Sequence, residues 1–300
     1  MTTKQILALF IALTTLFSLS PILARAEITN MTPQPQAQGQ EQSAQRAIFD
    51  ALRKTGSGRV TTIIDPQTLQ LQDGRIIRLA GLNFPDYIPQ DENTEENGKY
   101  TALAMDILRD MLIGKDVDLY QTSKKDWGRM NRMGHHIAHL KRQEGGLWVQ
   151  GTLLSLGLAQ VRTSQRNPEM AVQMLAREAQ ARADGLGLWA EETYRILTPD
   201  EAAGATGHFV LVEGRVESAA IKKNRIYLNF GQNWRDDFTV SIPPGSKRLF
   251  SKQGIDPLAF NGKTLRVRGR VEMYNGPYIE INHPEAIEVI ESAETDEAGE

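Results

Sequence analysis

The sequence predicts a mainly β protein with packed helices, laid out as two β-rich domains. Three observations lead there. Residues 58–86 read GRVTTIIDPQTLQLQDGRIIRLAGLNFPD, two β-rich runs around Asp73-Gly74. Leu69 and Leu71 alternate with Gln70 and Gln72, the period of a half-buried strand. Asp-Gly between such runs signals a hairpin whose two turn positions tolerate positive φ. From Lys99 the period changes to that of helices, and from His208 β-rich runs return.

A chain of 300 residues can bury one core or, more comfortably, two. The formal net charge of −3 does not announce a nucleic-acid binder as a whole, although local patches still count. With no cysteine, disulfides and thiolate metal sites are excluded.

The N-terminus indicates the compartment. Lys4 precedes an apolar run from Ile6 to Leu23, and Ala24-Arg25-Ala26 places small residues at −3 and −1 of a cleavage site. The expectation is a signal peptide over residues 1–26 and export to the periplasm or the medium, with no membrane contact after cleavage. An uncleaved membrane anchor is the competing reading. Residues 27–57 are expected as a flexible lead-in, rich in Gln, Pro, Ser and Thr up to about Arg46, with a short helix over 47–54. The first domain is expected over 58–195, a linker or short helix opened by Thr198-Pro199 over 196–206, the second domain over 207–291 and a disordered acidic tail over 292–300.

Within the first domain, Arg78 lies between Ile77 and Leu79 at a strand end, beside the loop Asn83-Phe84-Pro85-Asp86. It is a candidate anion contact or a solvated strand arginine. The acidic stretch YIPQDENTEENG reads as a solvated loop or a cation-gathering one. Tyr100, Leu103, Ile107 and Met111 recur at helical spacing, and Gly114 closes that helix. Residues 116–120 then read as a strand. Residues 124–142, KKDWGRMNRMGHHIAHLKR, carry six Lys or Arg and three His against one Asp. His135, His136 and His139 lack a carboxylate that would complete a ligand set. Lys124, Lys125, Arg129 and Arg132 are candidates to face phosphates, against the plain reading of a solvated basic loop. Residues 148–161 read as a helix. Another starts near Pro168 with Met170, Met174, Leu175 and Ala179 as its stripe, and Leu188-Trp189 is expected to pack back on the strands.

The segments IIDPQTLQL, IIRLAGLNFPD, AHL, SLGLAQV and GLGLWAE, in this order and spacing, resemble the staphylococcal nuclease-like, or thermonuclease, family over about residues 58–191. The resemblance implies a five-stranded OB barrel with helices packed on it, and a site that cleaves phosphodiesters with Ca²⁺. The family's two aspartate ligands fall on Gln67 and Asn83, a carbonyl ligand on Phe84, and the water-activating glutamate on Asp86. The first catalytic arginine falls on Arg78. The second falls on His135 in a gap-free register, or on Arg129 if residues are inserted before the AHL strand. Two ligand carboxylates are thereby replaced by neutral amides, and Ca²⁺ draws its affinity from carboxylates. The implied protein is catalytically weakened and cofactor-free, binding nucleic acid, another polyanion or a protein. Ca²⁺ enters only if the chain is an active extracytoplasmic nuclease. A third reading is a structural scaffold of the cell envelope.

In the second domain, HFVLVEGRVESAA, RIYLNFGQ, DDFTVSIPPG and TLRVRGRVEMYNGPYIEIN read as strands, the last crossing Asn275-Gly276. Five strands with an insertion are consistent with a small barrel, and this part resembles OB-fold nucleic-acid-binding modules. Tyr227, Phe230 and Tyr274 are candidate stacking platforms, and Arg266, Arg268 and Arg270 share one strand face. The competing reading places the aromatics in the core and the arginines on an ordinary solvated face.

Overall fold

The computed structural model describes residues 49–87, 98–124, 127–233 and 236–290. The signal segment, most of the lead-in and of the acidic loop, Lys125 and the acidic tail lie outside the described residues.

Five strands close a barrel in the order β1-β2-β3-β6-β5. They are β1 (Arg53–Asp65), β2 (Thr68–Leu71), β3 (Ile76–Leu79), β5 (Asp116–Gln121) and β6 (His136–Arg142). Antiparallel pairing sets Val60 opposite Leu71 and Ile63 opposite Leu69, while β3 runs parallel to β6. The alternation expected around the first hairpin is present, since Leu69, Leu71, Ile77 and Leu79 all lie in the core. Of the two turn residues only Gly74 has positive φ, at 85°. Asp73 keeps an ordinary φ, and its carboxylate accepts from the Arg75 backbone N–H at 3.1 Å and pairs with the Arg75 guanidinium.

The barrel starts earlier than expected. Residues 53 and 54 belong to β1 rather than to a helix. The outer edge of β5 needs a partner for its backbone groups, and residues 53–59 supply it, Arg53 opposite Gln121 and Arg59 opposite Asp116. Gly56 and Gly58 also weaken any helix there.

Two further short strands, β4 (Leu82–Asn83) and β7 (Gln160–Val161), pair antiparallel beside the barrel. Among the described residues three helices cover it: α1 (Lys99–Leu112), α2 (Val149–Ser155) and α3 (Ala171–Ala183). Helix α2 is shorter than the expected 148–161, because the chain turns at Gly157 with φ of 65° and then extends into β7. The buried side of α3 holds Met174, Glu178 and Ala181, whereas Leu175 and Ala179 are half-buried. Leu188 is fully buried in the same core, as expected.

The linker forms a short 3-10 helix, Pro199–Ala205, opened by a capping box between Thr198 and Glu201. Beyond it come β8 (Phe209–Arg215), β9 (Ser218–Lys222), β10 (Arg225–Asn229), β11 (Thr239–Ile242), helix α4 (Lys247–Lys252), β12 (Thr264–Arg270), β13 (Glu272–Met273), β14 (Pro277–Glu280) and β15 (Ile287–Ile290). These strands form two sheets, β13-β14-β11-β10-β9 and β15-β12-β8. Among the described residues they do not close as the first barrel does. Positive φ at Lys223 and Asn224, and at Asn275 and Gly276, matches the tight hairpins that join β9 to β10 and β13 to β14. A second core, with Val212, Leu228, Val240, Phe250, Leu265 and Val267, lies within this half.

Candidate functional site

Arg78 lies on β3 opposite Thr68, near the end where the chain leaves the barrel. Its guanidinium donates to the Gln67 side-chain oxygen, and the Gln67 side-chain amide N–H donates to the Leu82 carbonyl at 3.0 Å. Gln67 is thus a buried bridge from Arg78 to β4. The next residue of β4, Asn83, is equally enclosed. Its amide donates to the Gln160 side chain across the β4–β7 pair at 3.1 Å, and its oxygen accepts from Arg162 at 3.5 Å. The two positions where the resemblance places metal carboxylates therefore hold neutral amides, each turned toward a guanidinium. The Phe84 carbonyl accepts from the Tyr87 N–H at 3.1 Å. Asp65 accepts from the Gln67 backbone N–H at 2.7 Å. This donor set is a poor fit to Ca²⁺: Gln67 and Asn83 offer neutral oxygens that already accept from arginines, and the carboxylate beside them, Asp65, has one oxygen engaged by the Gln67 N–H.

Asp86 has a different task from the one the resemblance implies. One carboxylate oxygen accepts from the backbone N–H groups of Tyr100 at 2.9 Å and Thr101 at 3.2 Å, and the other from the Thr101 hydroxyl at 2.6 Å. Asp86 thus caps α1 from across the acidic loop, satisfying two of the helix's orphan donors and placing a negative charge at its positive end. Gly98 permits the approach, since a Cβ there would lie 2.2 Å from the Asp86 carboxylate. These contacts engage both oxygens of the Asp86 carboxylate.

The second arginine position falls beside β6. Ile137 stands next to Arg78 across the β3–β6 pair, and its N–H donates to the Arg129 carbonyl on its other side at 2.8 Å. Residues 130–136 form a return loop closed by a bridge between Met130 and His136. Gly128 is needed where this segment crosses the 164–167 turn, having φ of 102° and only 2.5 Å between a would-be Cβ and the Arg166 carbonyl oxygen. The Arg129 guanidinium donates to the carbonyls of Thr122 at 2.9 Å and Ser123 at 3.3 Å. It clips its own loop. His135 is half-buried, with an unpartnered Nδ1, and its backbone N–H donates to Asn131. His139 is enclosed against Trp148, and burial pushes its pKa down to about 3. Among the described residues no group of three His, Asp or Glu side chains is arranged for a metal. Lys124 and Arg132 are exposed.

The second half redistributes its candidates. Phe230 is a core residue packed on Phe238, with ring centroids 5.1 Å apart. Tyr227 is half-buried, and Tyr274 stands exposed at a hairpin tip. Arg266 pairs with Glu213 at 2.6 Å. Arg268 is only 3% exposed and pairs with Glu178 of α3 and Glu288 of β15. A buried, doubly paired arginine cannot meet a strand of nucleic acid. Alternation does put Arg266, Arg268 and Arg270 on one face, but acidic neighbours claim the first two and leave Arg270 exposed.

Arg162 was not legible as a site residue. It follows β7 directly, and only the β4–β7 pairing, across 77 residues, brings it to Asn83. Its guanidinium also lies 5.3 Å from the centre of the Phe209 ring, and Phe209 stands opposite Arg270 in the β8–β12 pair. Burial, and then the charges of Arg78 and Arg270, hold the Arg162 pKa below its ordinary value.

Residues 76–191 match the family model described as staphylococcal nuclease homologue. That span runs from β3 to the end of the helical layer, and the match together with the closed five-strand barrel fits a staphylococcal nuclease-like domain in this part of the chain. No curated protein matches the chain in sequence. Among the described residues no helix is long and apolar enough to cross a membrane.

Proposed function

We propose that the staphylococcal nuclease-like domain of this chain holds single-stranded nucleic acid by its phosphates and does not cut it by the family's Ca²⁺ chemistry. One observation carries this reading: Gln67 and Asn83, at the two ligand positions, are each hydrogen-bonded to an arginine. Guanidinium groups there favour a phosphate and oppose a divalent cation. The engagement of Asp86 on α1 supports the same conclusion, because phosphodiester hydrolysis needs a positioned water and a base to take its proton. Export belongs to the proposal as well, resting on Lys4, the apolar run and Ala24-Arg25-Ala26.

The test uses the purified full chain and a labelled single-stranded oligonucleotide. Binding is expected at low salt, with log affinity falling by about 0.7 per phosphate contact for each decade of salt. Replacing Arg78 with Ala should weaken it. Cleavage is expected to be absent with or without Ca²⁺. Ca²⁺-dependent cleavage that disappears in Arg78→Ala would establish the enzyme instead.

A further inference from the structure

We infer that Arg78, Arg162 and Arg270 form one anion site spanning both domains, and that it receives a phosphate group of the bound strand. The inference rests on the binding reading above and deepens it by adding two arginines outside β3, one of them from the second domain.

Contacts run continuously between the three. Arg78 is tied through Gln67 to the Leu82 carbonyl, and the adjacent Asn83 contacts Arg162. Arg162 lies over Phe209, and Phe209 faces Arg270 across two paired strands. Arg270 is exposed, and Arg162 and Arg78 reach solvent although their guanidinium groups are partly enclosed, so the site is open to a ligand.

The three share a second property. Arg225, Arg266 and Arg268 each pair with a carboxylate, whereas Arg78, Arg162 and Arg270 have no acidic partner among the described residues. Like charges gathered without a counter-charge disfavour one another, and arginine cannot relieve this by losing its proton at ordinary pH. A phosphate relieves it and offers oxygens to several guanidinium groups at once. The neutral amides of Gln67 and Asn83 orient two of the arginines without neutralising them. The contact of Arg268 with Glu178 fixes one domain on the other, so the site is formed before the ligand arrives.

The experiment measures oligonucleotide binding by fluorescence anisotropy for the full chain and for Arg162→Gln, Arg270→Gln and Arg248→Gln. Arg248 lies on α4, is exposed and serves as the control. Arg270→Gln removes an exposed side chain and should leave the fold intact, which the melting curve checks. Arg162→Gln and Arg270→Gln should each lower affinity about tenfold and reduce the salt slope by about 0.7, as expected for one lost phosphate contact. The control should bind like the wild type. Strands with a 5′-phosphate and with a 5′-hydroxyl separate the two sources of the group. Tighter binding of the phosphorylated strand, lost in Arg270→Gln, places a terminal phosphate in the site, and equal binding places an internal diester there. The inference fails if both variants bind like the wild type or if the control loses as much. Should only Arg78→Ala weaken binding, the polyanion reading stands and the two-domain site does not. Should the wild type bind nothing at low salt, both fall.

Discussion

Arg268 of β12 and Glu178 of α3 form an ion pair between the strands of the second core and the helices of the first, with Nη1 2.9 Å from Oε2 and both side chains closed to solvent. The pair also grips β7. The Val161 N–H donates to Glu178 at 2.7 Å, and Arg268 donates to the Val161 carbonyl at 3.2 Å. Glu288 is a second acceptor for Arg268 at 2.5 Å. Burial opposes the charge on Arg268, but the two glutamates more than offset it and raise its pKa above the ordinary value. One strand thus connects this lock to the site, because Gln160 and Arg162 flank Val161.

Removing one partner leaves the other charge buried without its match, and such changes cost about 3–5 kcal/mol. Glu178→Ala is therefore expected to lower unfolding stability by about 3 kcal/mol, toward the small end because Glu288 remains. Urea unfolding of the wild type, followed by tryptophan fluorescence and by far-UV circular dichroism, should give one coincident transition. Two separate transitions, or a loss under about 1 kcal/mol in the variant, would show that the ion pair does not couple the domains.

His283 supplies a pH dependence. Its ring lies against Thr163 of the first domain, with Nε2 2.9 Å from the hydroxyl, and its Nδ1 lies 2.7 Å from the Asn282 oxygen. Burial, and then the Arg268 charge, push its pKa down to about 4. Unfolded, histidine takes up its proton near pH 6.5, at about its unperturbed pKa. The unfolded state binds more protons between those values, so the contribution of His283 is fully present above about pH 6.5 and is lost as pH falls toward 4. His139 acts in the same direction. Thermal melts from pH 7 to 4 should show His283→Gln losing less stability on acidification than the wild type. Parallel curves would refute the assignment.

Asp86 is expected to behave as a cap. Asp86→Ala should cost about 1–2 kcal/mol, in the range of a lost helix cap, and Asp86→Asn less, since its side-chain oxygen still accepts. Asp86→Glu, the change that would restore the family's acid, should destabilise because the longer side chain meets Gly98 and the start of α1. Chemical unfolding measures all three. A stability unchanged in Asp86→Ala would remove the cap from the account.

Much of the fold was written in the order of the residues. The alternation of Leu69 and Leu71, the recurrence of Tyr100, Ile107 and Met111, and the Asn275-Gly276 turn act over a few residues, so local physics reveals them. That Gln67 and Asn83 fall where the resemblance expects ligand aspartates was equally visible. What those amides bind was not, because Arg162 reaches Asn83 only through the pairing of β4 with β7. Asp86 read as the position of a water-activating carboxylate by its place in a motif, yet α1 begins beyond the acidic loop and takes its carboxylate as a cap. Arg268 read as a surface cation by strand alternation, and Glu178, 90 residues away, makes it an interior one. The sequence by itself determined which segments become strands and helices and which charges the chain carries. Tertiary structure alone decided which of those charges are neutralised and which stay free for a ligand, because a counter-charge acts through distance in space and not through separation along the chain.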